Sequence, residues 1–231
     1  MEELTILYED NQIVVVIKPQ NVPTQADDSN DKDMLSMVKD YIKQKYNKPG
    51  EAFIGLVHRL DRPTGGIMVF ARNSKAANRL TEQFKTHSVE KVYYAIANGV
   101  VKVRTQRLVN YLKKDTKENI VKIVPMSETG AKKAELVYNY LADDGKQSLL
   151  EVKILTGRSH QIRLQLANIG HSLVGDVKYG KEKGMTSKLG LWAGKLAFDH
   201  PTTKERMVFM ACPDQNVLPW KNFRMEKYLT R

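Results

Sequence analysis

A single cysteine in 231 residues, Cys212, excludes an internal disulfide and any thiolate-rich metal cluster. The histidines, His58, His87, His160, His171 and His200, show no paired ligand spacing, so no zinc site is expected. No apolar run approaches the length that spans a bilayer. The N-terminus carries Glu2 and Glu3 and lacks the basic-then-apolar layout of a secretory signal, so the expected location is the cytoplasm. No glycine-rich dinucleotide fingerprint follows an expected strand, and no serine sits in a G-x-S-x-G elbow, which leaves redox and acyl-transfer chemistry without support. The stretch GDVKYGKE from Gly175 mimics a phosphate-binding P-loop, but Glu182 stands where the metal-ligating Ser or Thr is required. A nucleotide triphosphatase is therefore rejected.

What the chain does have is positive charge. Lys and Arg number 37 against 26 Asp and Glu, for a formal charge of +11 and a pI near 9.5. That balance points to a polyanion, with RNA or DNA the first suspect. The excess is uneven: residues 101–140 hold 9 basic and 4 acidic residues, whereas residues 26–33 hold four Asp and one Lys. A charge run is also what a merely solvated face looks like, so the patch needs a chemical motif beside it. A DNA-binding regulator would want a helix-turn-helix, and none is evident.

The stretch HRLDRPTGG at 58–66 packs one carboxylate, two guanidinium groups and a turn into nine residues. Asp61 lies between Arg59 and Arg62, and opposite charges that close favour its ionised form, available as base or nucleophile. Pro63 presets its own φ and Gly65 and Gly66 tolerate unusual angles, so residues 62–65 read as a tight turn leaving a strand. The competing reading is a surface ion-pair cluster beside an ordinary turn. A second stretch, LTGRSHQIR at 155–163, brings Gly157 and Arg158 out of a strand and opens a helix with Ser159, His160 and Gln161. Free amides at such a junction suit phosphate or carboxylate partners. Against this, Arg163 would be an ordinary surface residue and His160 a hydrogen-bonded core histidine.

Strands are expected at 4–8, 13–17, 55–60, 67–71, 92–97, 120–124, 134–141, 149–155, 191–198 and 207–211. Helices are expected at 33–46, stopped by Pro49 and Gly50, from Asn73 or Ser74 to about Thr86, and at 159–169, capped by Gly170. Helices interrupt runs of strand without regular alternation, which favours an α+β protein with a largely antiparallel sheet. With no repeat, linker or clear boundary, residues 1–231 are expected to form one domain.

Taken in order, these motifs resemble the RluA family of RNA pseudouridine synthases over most of the chain. KPQNVPTQ at 18–25 resembles the family's first motif, HRLDRPTGG its catalytic motif, KVYYA at 91–95 its tyrosine motif and TGRSHQIR its arginine motif. GHSLVGDVKYG at 170–180 and AFDHP at 197–201 are similar to its trailing signatures. Gly65 stands where the family usually has Ser, Asn21 where Gly is common and Gln165 where His is frequent. Asn tolerates left-handed angles, so a turn at Asn21 survives the change.

The resemblance implies the family's fold, a mixed, mostly antiparallel sheet in two related halves around a central cleft, with neither metal nor organic cofactor. It implies that Asp61 is the essential carboxylate, that Tyr93 stacks against the target base and that Arg158 pairs with Asp61 or a phosphate. Arg59 becomes the candidate wedge that replaces a flipped base, and Lys18, Arg62, His160, Gln161 and Arg163 the expected RNA contacts. The first motif begins only 17 residues from the start, so RNA is expected to be held by the catalytic domain itself, acting as a monomer on a stem-loop of ribosomal or transfer RNA. A non-catalytic RNA-binding or RNA-folding protein on the same scaffold is the alternative. Pseudouridine formation should therefore survive a chelator when the RNA is kept folded; loss of activity restored by added magnesium would count against this.

Overall fold

The computed structural model describes residues 4–47, 49–115, 118–180 and 188–229, so Glu2, Glu3 and Glu182 lie outside the described residues. Its architecture is α+β with a large, mostly antiparallel sheet. The chain divides into two compact units, Met1–Glu90 with Lys195–Ala211 and Lys91–Gly194 with Cys212–Arg231. No described helix is long and apolar enough to cross a membrane.

In the first unit β1 (Ile6–Glu9) pairs antiparallel with β2 (Ile13–Lys18), and β2 pairs with β4 (Gly65–Ala71). β3 (Gly55–Leu56) is a two-residue partner of β4, far shorter than the expected strand at 55–60. The apolar run of β2 is continuous because both its faces are covered. Ile13 and Val15 join Ile67, Val69, Leu196 and Phe198 in one core layer, while Val14, Val16, Met68 and Phe70 are fully buried on the other face.

Helix α1 (Met34–Lys45) starts where Asp33 accepts a hydrogen bond from the Ser36 amide at 3.1 Å. Helix α2 (Ser74–Lys85) starts where Asn73 accepts one from the Ala76 amide at 2.9 Å, and Ala76 and Leu80 turn into the core layer. The Asn73 cap is one of the two expected, while Asp33, expected as the first residue of its helix, caps it instead.

The second unit carries β5 (Glu90–Asn98), β6 (Thr105–Asp115), β7 (Ile120–Val124), β8 (Lys132–Asp143) and β9 (Gln147–Ile154). Within it, β5 pairs β9, β9 pairs β8, β8 pairs β6 and β6 pairs β7, all antiparallel. Helix α3 (Gln161–Asn168) is shorter than expected at its start, because His160 adopts a left-handed φ of 52° and stays outside the helix. Gly170, at φ 88°, follows its end as a glycine should. Strand β10 (Leu191–Asp199) contributes residues to both units, and β11 (Arg206–Met210) pairs with it. Helix α4 (Glu226–Leu229) closes the described chain.

Leu80, fully buried on the face of α2 that meets the sheet, gives the first unit a simple test. Leu80→Ala should cost about 2–5 kcal/mol, the range for cavities at well-packed leucines. A loss below about 1 kcal/mol in urea denaturation would contradict this packing.

Candidate active site

The turn that carries Asp61 falls one residue earlier than expected. The Thr64 amide donates to the Asp61 carbonyl at 2.9 Å, so Asp61 opens the turn and Thr64 closes it. Gly65 already belongs to β4, and Gly66, at φ 124°, pairs with Lys18 in the ladder. The sheet register has drawn the first glycine out of the turn. Asp61 is half-buried there.

The first motif braces this turn from the β2 side. Lys18 is fully buried, and its ammonium donates to the carbonyls of Pro19 and Arg62, both at 2.9 Å. The Asn21 amide donates to the same Arg62 carbonyl at 2.9 Å, and Asn21 holds the left-handed φ of 68° its identity allowed. The Gln20 side chain donates to the Pro63 carbonyl at 3.1 Å, and the Thr24 hydroxyl to the Leu60 carbonyl at 2.8 Å. Residues 60, 62 and 63 thus lose their backbone freedom to residues 18–24. Lys18 was expected to meet RNA; here it is buried and braces the turn.

That brace has an electrostatic cost. Burial pushes the Lys18 ammonium down to about 7, although the facing Asp61 carboxylate favours its charged form and Arg62 opposes it.

Arg62 turns towards the acidic stretch before α1. Its guanidinium donates to the Asn21 carbonyl at 3.1 Å, to Asp27 at 3.4 Å, to Ser29 at 2.7 Å and to Asp31, so the acidic stretch at 26–33 folds back onto the turn at Asp61. Arg59 is exposed. His58 is structural: its Nε2 accepts from the Val69 amide at 3.0 Å while its ring stacks on Phe84 at 4.6 Å.

The second unit gathers the other motif residues. Tyr93 lies on β5 in register with Val152 of β9 and keeps 9% of its surface exposed. Lys91, two residues before it, is largely buried, which pushes its ammonium below the usual range. A side chain at Gly157 would stand 3.6 Å from the Lys91 ammonium. Arg158 is exposed, its Nε donating to the Lys133 carbonyl at 2.9 Å.

Gln161 ties the junction together. Its side-chain oxygen accepts from the Thr156 hydroxyl at 2.7 Å and the Arg158 amide at 3.1 Å, and its nitrogen donates to the Glu135 carbonyl at 3.0 Å. Arg163 donates twice to Asp176, at 2.8 and 2.7 Å, with both groups buried. Gln161 and Arg163 were expected at RNA, but burial and these partners make both of them internal struts. His160 meets the Tyr179 hydroxyl at 2.8 Å through Nδ1, and that hydroxyl accepts from the Val121 amide at 2.9 Å.

Asp176 and Tyr179 were visible in the sequence only as parts of a trailing signature. Burial would raise the Asp176 carboxyl, but the Arg163 guanidinium and the amides of Tyr179 and Lys178 outweigh it and hold the group below the usual range. Among the described residues no group of His, Cys, Asp or Glu is arranged to hold a metal ion.

Comparison with known proteins gives one consistent picture. A family model described as RNA pseudouridylate synthase matches residues 12–168. The tRNA pseudouridine synthase C of Vibrio parahaemolyticus is 31% identical over 234 residues, covering 92% of this chain and 91% of that protein. The ribosomal large subunit pseudouridine synthase D of Borreliella burgdorferi is 31% identical, covering 95% of this chain and 68% of its own length. The solved structure of human RNA pseudouridylate synthase domain containing 4 superposes with a TM-score of 0.76 over 91% of this chain and 89% of its own, at 22% identity, a likeness of fold.

Two predictions follow from the braces. The unfolded lysine titrates near its ordinary 10.5, so between about pH 7 and 10 the unfolded chain binds the extra proton and stability should rise with pH. Lys18→Met should remove that rise; parallel pH profiles of the denaturation midpoint in the two proteins would contradict it. Asp176→Asn should cost about 3 kcal/mol or more in urea denaturation, because Arg163 is left buried without its counter-charge. A cost below about 1 kcal/mol would show that the pair is not a strut.

Proposed function

The chain belongs to the RluA-type RNA pseudouridine synthases, a family of isomerases, and from that premise we propose that it converts uridine to pseudouridine in a structured ribosomal or transfer RNA with Asp61 as the essential carboxylate. The two relatives named for their substrates act on transfer RNA and on large-subunit ribosomal RNA. The observation that carries the assignment is the turn itself: a half-buried carboxylate at its first position, with the next carbonyl fixed by a buried ammonium and an amide.

The reaction breaks the bond between uracil N1 and the ribose, turns the base, and joins C5 to the same sugar carbon. The C5 proton leaves and N1, freed from the sugar, gains one, so the product is an isomer and the step needs no cofactor to balance it. Asp61 acts on the sugar, by bonding to it or by abstracting its proton. Either route requires an ionised carboxylate at a fixed position, and a braced turn supplies the fixed position without reorganisation during the step.

Tyr93 offers its ring to the base and Arg158 its guanidinium to a phosphate. A base inside a stack is out of reach, so the target leaves the stack, and the exposed Arg59, two residues before Asp61, fills the gap. Single-stranded loops give up a base most cheaply, which favours a stem-loop target. Arg62 reaches RNA only by giving up carboxylates it already holds, so its contact is secondary to that of Arg59. The reading treats the whole chain as one catalytic domain.

Asp61→Asn keeps the shape and removes the charge. Pseudouridine formation should become undetectable while RNA binding survives, since the basic surface and Arg59 are untouched. Turnover that persists in purified Asp61→Asn protein would overturn the assignment of the carboxylate, and a wild-type protein that binds RNA without making pseudouridine would favour a non-catalytic RNA-folding role.

A further inference from the structure

The formal charge of the chain is +11, yet residues 26–33, which fold back onto the turn at Asp61, carry four Asp and one Lys. Beside the carboxylate that the functional reading assigns to catalysis, such a segment repels a polyanion. Everything involved lies in the unit that holds Asp61.

The segment is fastened at both ends and open between them. Pro23 and Thr24 are buried at one end and Asp33 and Met34 at the other, while residues 25–32 are exposed. The Met34 amide donates to the Pro23 carbonyl at 2.9 Å and the Leu35 amide to the Thr24 carbonyl at 3.2 Å, which closes the loop at its base. Within it the Ser29 amide and hydroxyl donate to Asp27, and the Asp31 amide donates to the Ser29 hydroxyl at 3.2 Å. These local bonds shape the loop without help from Arg62.

The turn at Asp61 does not depend on the Arg62 side chain either. Lys18 and Asn21 hold the Arg62 carbonyl and Gln20 holds that of Pro63, so the acceptors are all backbone. The guanidinium is spent instead on the loop, where it meets Asp27 Oδ2 at 3.4 Å, Ser29 Oγ at 2.7 Å and Asp31. Several oxygens gathered on one guanidinium are what a phosphate group also presents. The hydrogen bonds from Ser29 hold the Asp27 carboxyl below its usual range, so it is charged at neutral pH. Arg62 keeps 39% of its side chain in solvent, Asp27 41% and Asp31 54%, so these pairs are individually weak and open to exchange with another anion.

We propose that the loop at 25–32 is an internal substitute for an RNA phosphate: in the free protein Asp27, Ser29 and Asp31 occupy Arg62, and a phosphate of the bound RNA displaces them. The inference rests on the functional reading, because it takes RNA as the partner. RNA that touches the chain elsewhere leaves the pairs in place and meets only the repulsion of the loop. RNA seated at the turn of Asp61 exchanges one set of oxygens on Arg62 for another. Asp27 and Asp31 thus act against binding that does not engage the turn.

The test uses the full-length protein and two probes from cells without the gene, unfractionated transfer RNA and fragmented ribosomal RNA. Asp31→Asn should lower the dissociation constant for at least one pool by about threefold or more, because the phosphate then has one carboxylate fewer to displace. Asp28→Asn removes the same charge from the same loop, and Asp28 is not among the partners of Arg62, so its effect should be clearly smaller. Arg62→Gln should make the log–log dependence of affinity on salt shallower by about 1, the mark of one lost phosphate contact. In the Arg62→Gln protein, Asp31→Asn and Asp28→Asn should become equivalent.

Equal effects of Asp31→Asn and Asp28→Asn in the otherwise unaltered protein would overturn the proposal and leave only general repulsion. A salt slope unchanged by Arg62→Gln on both pools would overturn it as well. The comparison of the two aspartates stays decisive if Arg62→Gln fails to fold, since both are exposed and neither is the cap of α1. A wild-type protein that makes no pseudouridine but shows the difference between Asp28 and Asp31 would undo the functional reading and leave the role of the loop standing.

Discussion

A lysine ammonium with no access to water must find carbonyl partners, and the place where Lys18 finds them decides where Asp61 stands. Of its two acceptors, one is the adjoining Pro19 carbonyl and the other belongs to Arg62, 44 residues away in sequence and directly after Asp61. The Asn21 amide shares that second acceptor, and Gln20 and Thr24 hold the carbonyls of Pro63 and Leu60. Burying an ammonium is expensive, so a stretch that does so and spends its polar groups on one turn is organised around that turn. The desolvation shows in a Lys18 pKa of about 7.

The second unit uses the same device with other groups. The bidentate pair Arg163 with Asp176 joins α3 to the segment at 175–180, and Gln161 binds Thr156, the Arg158 amide and the Glu135 carbonyl. In both units the residues expected to meet RNA divide into two kinds. Lys18, Gln161 and Arg163 are buried struts that hold backbone, while Arg59 and Arg158 remain at the surface beside them. Catalysis by a positioned carboxylate depends on such struts, since a displaced reacting group forfeits most of the advantage of proximity.

Much of this was legible from residue types and spacing. The Asn73 cap sets the start of α2, β7 occupies the expected 120–124, and the left-handed Asn21 followed from its side chain. Strand β6 was not seen, because its buried residues Leu108 and Leu112 are four apart and its outer face is basic, so neither alternation nor an apolar run announces it. The turn at Asp61 was displaced by one residue because glycine permissiveness was read as turn, when the ladder with β2 had claimed Gly65. The burial of Lys18 and the partnership of Arg163 with Asp176, 13 residues on, depend on tertiary packing, and both residue types sit on surfaces by default.

The central claim is that this chain makes pseudouridine in a structured RNA. Pseudouridine mapping across all stable RNAs, in cells with the gene and in cells without it, tests that most directly. The account predicts that one or a few uridines in loops of ribosomal or transfer RNA lose the modification when the gene is absent and regain it when the gene is restored. Identical maps in the two strains would contradict it.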